Sequence, residues 1–411
     1  MNPAPSDKPD PRPLVASLCG TFLKAEMQSI YRQVTSLRRH RTVVFTEKVE
    51  RRRMFPFEPL VVMEKQVRPR LRGNFLLRFW YKYLVRQWPP PRPIQRQVKP
   101  YHPYNLPALL EQWQVDAAHV YYGHKAVKYL PMLRAWGGPF VVSFHGVDVV
   151  KYSEEEGEGE ERASLREVFE EAGLVLARSK SLLERLRQLG CPPDKLRLNR
   201  TPIPMDDLPW QVRQAPADGA WRLVQACRLI PKKGLFTALE ALTMVVPEFP
   251  GLRYSICGTG PLENELRTRI VELKLEPHVH LRGWLDQAEL RREYADAHAF
   301  LHPSELTGEQ DQEGVPNSML EAMATGLPVL ATWHGGIPEA VEHEADGLLA
   351  PEKSPRQLAE LLRRLLREPG LLPRLSQNAA LSVRANYGLR SAVEALEDCY
   401  ETVIRRHSAE K

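Results

Sequence analysis

No stretch of the sequence approaches the ~18 consecutive apolar residues that a membrane-spanning helix needs. Residues 1–13, MNPAPSDKPDPRP, lack the apolar core of a secretory signal and read as a disordered leader. Cysteine is sparse. Cys19, Cys191, Cys227, Cys257 and Cys399 are odd in number, scattered, and form no Cys-x-x-Cys pair. This argues against a disulfide framework and a structural zinc site, and predicts a cytoplasmic protein with free thiols and no metal. No fixed short period recurs along the chain, which excludes a solenoid. What is present is ordinary for a soluble fold: 43% hydrophobic and 26% charged residues, in a chain of 411 long enough for two or three domains.

The formal net charge of +6 hides an uneven distribution. Residues 51–100 hold 13 Lys and Arg against 2 acidic residues, whereas residues 301–350 hold no Lys or Arg and 9 acidic residues. A uniformly basic chain would suggest nucleic acid. A basic patch on an acidic body does not, and no nucleic-acid-binding motif accompanies it.

The chain reads as alternating strands and helices, twice over. LVASLCGT (14–21) predicts a strand ending in a glycine turn at Gly20; a helix follows, then the strand TVVFT (42–46). Basic, aromatic and proline-rich sequence interrupts the pattern over 50–105. Strands resume at 117–123, 139–144 and 173–177. The segment 206–220, rich in proline and acids, reads as a linker. WRLVQAC, LRYSIC, HVHLRG, AFLHP, LPVLAT and GLLA then predict a second series of strands, and 391–411 a final helix. The expected class is α/β, with Rossmann-like doubly wound domains over 1–205 and 221–390. The six glutamates of 154–161 predict a solvated loop.

Four places could carry chemistry. In EGVPNSMLEAMATG (313–326), Pro316 suits a helix's first turn and Gly326 its left-handed terminator, predicting a helix over 316–325. Its N-terminus can take phosphate. Glu313 lies at that mouth, and Glu321 shares a helix face with Asn317; the two carboxylates could grip hydroxyls. They could equally complement the helix dipole and face solvent. In CRLIPKKGL (227–235), Arg228 and Lys233 sit where a strand turns into a helix, a place to neutralise a diphosphate or simply an exposed basic turn. In SICGTGPLENEL, Gly258 and Gly260 open a G-x-G-x-x-G pattern that Glu263 breaks, arguing against a nicotinamide or flavin enzyme. In SFHGVDV, His145 ends an apolar strand, as a hydrogen-bonding group or a structural one.

Together, Glu313-x7-Glu321, Arg228-x4-Lys233-Gly234, GTGP, GWL (283–285), HPSE and LPVLATWHGGIPEAV resemble the family-4 glycosyltransferases. SFHGVDV and GEQDQEGVPNSMLEAMATGLPV are most similar to the exopolysaccharide and lipopolysaccharide branch, of colanic-acid and amylovoran type. The resemblance implies a GT-B fold, two Rossmann-like domains facing across a cleft. It implies a retaining, metal-independent hexosyl-type transferase that uses a UDP- or GDP-linked sugar as substrate and no cofactor. Arg228 and Lys233 would bind the donor diphosphate, Glu321 the ribose, and Glu313 with the backbone of Gly314, Val315, Pro316 and Asn317 the transferred sugar and its phosphate. Gly335 and Gly336 would lie by the phosphates, and Gly258 and Gly260 beside the base. His145 would reach the sugar from the first domain, and the final helix would cross back onto that domain. The acceptor would be lipid-linked or a surface saccharide; a soluble acceptor, or a non-catalytic sugar-binding role, are the alternatives. The lone Gly20 departs from the Gly-Gly turn of many relatives. His119 and His124 are counterparts of a His-rich segment of that branch, or structural.

RGNFLLRFWYKYLVRQW (72–88) has helical spacing, with Phe75, Phe79, Trp80, Tyr83, Leu84 and Trp88 on one face and Arg78, Lys82 and Arg86 in a stripe. It reads as a core helix, or as a helix lying on an anionic membrane at the inner face of the plasma membrane.

Overall fold

The computed structural model describes residues 10–22, 27–53, 55–66, 80–86, 104–146, 160–308 and 313–411. Two parallel sheets organise these residues. The first contains β1 (Leu14–Phe22), β2 (Arg41–Val49), β3 (Leu60–Val62), β4 (Ala117–Tyr121), β5 (Phe140–Phe144), β6 (Leu174–Ala177) and β7 (Leu196–Leu198), in the order 3-2-1-4-5-6-7. The second contains β8 (Arg222–Ala226), β9 (Arg253–Cys257), β10 (Val279–Gly283), β11 (Ala299–His302), β12 (Val329–Thr332) and β13 (Gly347–Ala350), in the order 10-9-8-11-12-13. Both orders reverse beside the first strand of the set, between β1 and β4 and between β8 and β11. Crevices outside the carboxyl ends of strands at such reversals are where doubly wound sheets bind ligands.

The central strands are buried on both faces, which is why they read as nearly continuous apolar runs. Val15, Ala117, Val141, Leu174 and Leu176 of the first sheet pack against Leu396, Cys399, Tyr400 and Val403. Those four belong to the helix Leu389–Ala409, which follows the second sheet in sequence but covers the first. Its Glu397, 1% exposed, accepts the backbone N–H groups of Arg38, Arg39 and His40, so the helix is held by polar bonds as well as by its apolar stripe.

Several expectations change. Gly20 makes no turn: β1 runs through it to Phe22, paired with β2 as far as Val49. The first helix is Gln28–Thr35, shorter than its periodicity suggests. The region 50–105 contributes an edge strand, β3, of only three residues, and β7 is equally short; neither is long enough to show a period. Glu160 and Glu161 open the helix Glu160–Glu171 instead of continuing a loop. Of the segment 72–88, only 80–86 is described. Trp80–Leu84 form one π-helical turn in which Trp80, Tyr83 and Leu84 are exposed; the rest of that segment lies outside the described residues. Among the described residues, no helix is long and apolar enough to cross a membrane.

Candidate functional site

A cleft of about 1710 Å³ opens between the carboxyl edges of the two sheets, with walls from both halves of the chain. The turn after β8 supplies one wall. Pro231–Lys233 make a single 3-10 turn, and Gln225 Nε2 donates to the Lys233 carbonyl at 3.0 Å, fixing the lysine's backbone. Lys233 then reaches Glu313, Nζ to Oε2 2.5 Å, with the two side chains only 10% and 13% exposed. Burial by itself would raise the Glu313 pKa. The Lys233 ammonium, with help from Lys232, overrides it and holds the carboxyl at about 2. Arg228 lines the same wall and is exposed.

The Glu313 backbone is positioned as firmly as its side chain. Its N–H donates to His334 Nε2 at 2.9 Å, and His334 Nδ1 lies 2.8 Å from Glu352 Oε1. An amide N–H can only donate, so Nε2 accepts and Nδ1–H faces the carboxylate. The Glu313 carbonyl accepts from the Gly336 N–H at 3.1 Å. Gly336 must be glycine: a Cβ there would stand 2.8 Å from the Gly314 carbonyl carbon. The Gly335–Gly336 loop therefore buttresses the Glu313–Gly314 strand of chain from behind.

The helix that follows is Asn317–Ala324, with Pro316 as its extended N-cap instead of its first turn, and Gly326, φ +88°, just beyond its end. Gly314, Val315, Pro316 and Asn317 line the cleft. Glu321 does not face solvent. It is buried and accepts from Arg32 Nη2 at 2.7 Å, a residue of the first half 289 positions earlier. Gly258, φ +140°, also lines the cleft; a Cβ there would lie 1.9 Å from the Cys227 carbonyl oxygen, so only glycine lets β8 and β9 end side by side. Gly260, Glu321, Gly335 and Gly336 support the walls without lining them.

From the first half comes His145, whose ring lies 4.3 Å from that of Tyr122 and whose Nε2 is 3.1 Å from Ser143 Oγ. Burial, together with Arg178, pushes its pKa well below the usual histidine value, so it is neutral at pH 7. Residues 147–149 of the same motif lie outside the described residues, as do 309–312. His119 is buried within β4, and His124 is exposed on the helix Gly123–Trp136.

Sequence reasoning missed four residues here. Arg178 follows β6 directly and lines the cleft; its place at a strand's carboxyl end was the available signal. Arg32 carried no signal, since its partner is remote in sequence. Trp284, 53% exposed at the cleft wall, and Glu339 belong to motifs already singled out. The Glu339 carboxylate accepts N–H groups of Lys180 and Ser181 at the start of the helix Lys180–Gln188, so it joins the two halves.

Comparison with known proteins agrees with this geometry. Residues 32–207 match the model for Glycosyltransferase Family 4, and residues 209–382 that for Glycosyl transferases group 1. An Escherichia coli K12 protein named as a colanic acid biosynthesis glycosyltransferase, WcaL, is 36% identical over 225 residues, 55% of this chain and 54% of that one. The amylovoran biosynthesis glycosyltransferase AmsK of Erwinia amylovora is 35% identical over 266 residues, 63% of this chain and 64% of its own. The chain thus spans between half and two thirds of the length of these curated relatives. Among solved structures, Anabaena HepE in complex with UDP superimposes with a TM-score of 0.71 over 95% of this chain and 100% of its own, at 17% identity. With a family model on each half and both sheets in the arrangement of HepE, the chain belongs to the family-4 and group 1 glycosyltransferases of GT-B fold.

Proposed function

We propose that the protein moves a sugar, with retention of anomeric configuration, from a UDP- or GDP-linked donor to a lipid-linked or cell-surface saccharide. The observation that carries this reading is the convergence of Lys233, Glu313 and the N-terminus of the helix Asn317–Ala324 on one cleft that His145 enters from the other half. A leaving nucleoside diphosphate gains negative charge as the glycosidic bond breaks. Lys233 and Arg228, with unpaired N–H groups at the helix mouth, stabilise that charge without a metal ion. Glu313 and Glu321 accept hydroxyls of the sugar and the ribose, Gly335–Gly336 keep the loop close to the phosphates, and the base lies by Gly258 and Gly260. The acceptor hydroxyl attacks on the face that the phosphate leaves, so no carboxylate need act as a covalent nucleophile.

The acceptor side is basic. Arg51, Arg52 and Arg53 are exposed, and Arg51 and Phe55 line the cleft. A cationic rim suits a diphosphate-linked lipid acceptor and the anionic inner face of the plasma membrane.

A thermal-shift screen of nucleotide sugars tests the donor. A cognate donor at 100 times its Kd stabilises the fold by about 2.7 kcal/mol. Glu321→Ala and Lys233→Ala are expected to abolish the shift. Product formed with a saccharide acceptor establishes transfer; donor binding without product on any acceptor would leave a sugar-binding protein, and no shift with any nucleotide sugar would overturn the reading. Salt-sensitive binding to anionic vesicles is expected, and no binding at low salt would remove the membrane component.

A further inference from the structure

A line of hydrogen bonds runs from the C-terminal helix through the first sheet to the cleft. Tyr400 OH lies 2.6 Å from His119 Nδ1, His119 Nε2 lies 2.9 Å from Ser143 Oγ, and Ser143 Oγ lies 3.1 Å from His145 Nε2. The fold builds this line from three elements. Tyr400 is on the buried stripe of the helix Leu389–Ala409, His119 on β4, and Ser143 on the adjacent β5, whose partner across the ladder is Tyr121. Tyr400, His119 and Ser143 are all buried.

We propose that Tyr400, His119 and Ser143 are positioning residues that fix the ring proton of His145 on Nδ1. The distances set the sense of the chain. A separation of 2.6 Å is usual for an O–H donor and short for N–H···O, whose mode is about 2.9–3.0 Å. Tyr400 therefore donates to His119 Nδ1. Burial, with a smaller contribution from Arg178, pulls the His119 pKa down to about 3, so the ring is neutral and holds one proton. With Nδ1 accepting, that proton is on Nε2 and is given to Ser143 Oγ, at a length normal for N–H···O. The serine hydroxyl has a single proton, which goes to His145 Nε2. His145, also neutral, then carries its own proton on Nδ1. No proton is transferred along the line; His119 and Ser143 each accept one hydrogen bond and donate one.

On the function proposed above, Nδ1 of His145 is thus a hydrogen-bond donor in the donor cleft, and not a base. A helix that lies last in the sequence sets the polarity of a cleft residue more than 250 positions earlier. The tyrosine supplies what a neutral histidine pair lacks by itself: Nε2–H of either ring could point at the serine, and the chain could run in either sense.

The tautomers are read directly from nitrogen chemical shifts of protein labelled with 15N-histidine. The expected pattern is Nε2–H for His119 and Nδ1–H for His145. Tyr400→Phe removes the fixed donor, and both His145 tautomers become populated. Ser143→Ala breaks the last link without altering the helix, with the same loss at His145, and Ser143→Thr, which keeps the hydroxyl, restores Nδ1–H. With transfer measured, kcat falls about 2- to 10-fold in Tyr400→Phe, the worth of one misdirected neutral hydrogen bond, while the KM for the donor is unchanged. Nε2–H on His145 in the unaltered protein, or an unchanged tautomer in Ser143→Ala, overturns the proposal. The spectra stand apart from catalysis: if the tautomers behave as stated and no nucleotide sugar is turned over, the transferase reading fails and the relay remains.

Discussion

Replacing Lys233 by Met tests the electrostatics of the cleft most directly. Glu313 titrates at about 2 in the folded protein against an ordinary value of 4.5. At ~1.4 kcal/mol per pH unit, that difference contributes about 3 kcal/mol to stability at neutral pH. Its folded pKa is the lower one, so the contribution is complete above about pH 4.5 and disappears as the pH falls towards 2. Lys233→Met leaves the Glu313 carboxylate 13% exposed and without its ammonium partner. Breaking one side of a buried pair costs about 3–5 kcal/mol; a cleft open to water favours the lower end. Protonation can relieve the stranded carboxylate, so the penalty shrinks as the pH is lowered from 7 towards 4. Adding Glu313→Gln removes the second charge and recovers most of the loss. Urea unfolding at several pH values, fitted with separate transitions for the two halves, measures each quantity. A loss below about 1 kcal/mol at pH 7, or one that neither declines with acid nor responds to Glu313→Gln, would refute the argument.

Two further contacts give predictions of other kinds. Arg32→Ala removes the ion pair with Glu321 that spans the two halves, and small-angle scattering should show a larger radius of gyration in the nucleotide-free protein; an unchanged radius would mean that Glu339 at the helix Lys180–Gln188 suffices to hold the halves together. Glu397→Ala strips the N–H groups of Arg38, Arg39 and His40 of their shared acceptor and is expected to lower stability by about 2–4 kcal/mol, measured by urea unfolding, with Glu397→Gln recovering part of it.

The second sheet was legible almost strand by strand. LPVLAT became β12 because a strand covered on both faces is written as an apolar run that no solvent-facing residue interrupts, and LRYSIC became β9 with only Arg253 exposed at its start. The three-residue strands β3 and β7 were not legible: Leu60–Val62 and Leu196–Leu198 are edge strands with partly exposed side chains, too short to show a period. The reading of Gly20 failed for another reason. Glycine permits a turn but does not require one, and here the strand continues with Gly20 lying against the Lys125 side chain. In the candidate site, sequence motifs identified the carboxylates and the cations that share a turn or a helix. They could not identify what each group meets from far away, as with Arg32 on Glu321 or Tyr400 on His119, separated by 289 and 281 positions.

On the function proposed here, those remote partners explain how a segment without a single Lys or Arg would serve a polyanionic donor. Residues 301–350 are strongly acidic, and by themselves would repel a diphosphate. The fold imports a cation for each of the two carboxylates that matter: Lys233 from the turn after β8 for Glu313, and Arg32 from the first half for Glu321. Each of these two carboxylates is therefore matched by a cation, and one of the two pairs ties the halves of the molecule together. On the function proposed here, a nucleotide sugar enters by exchange. Its diphosphate takes Lys233, its sugar hydroxyls satisfy the Glu313 carboxylate that Lys233 releases, and its ribose hydroxyls reach Glu321 while Arg32 keeps its pair. Each exchanged bond replaces an existing one, so the net gain from any single contact is small and specificity has to come from the set. A donor that lacks either the diphosphate or the hydroxyls leaves a buried carboxylate or ammonium unpaired, at a penalty of several kcal/mol, and is rejected by the same arithmetic that makes Lys233→Met destabilising.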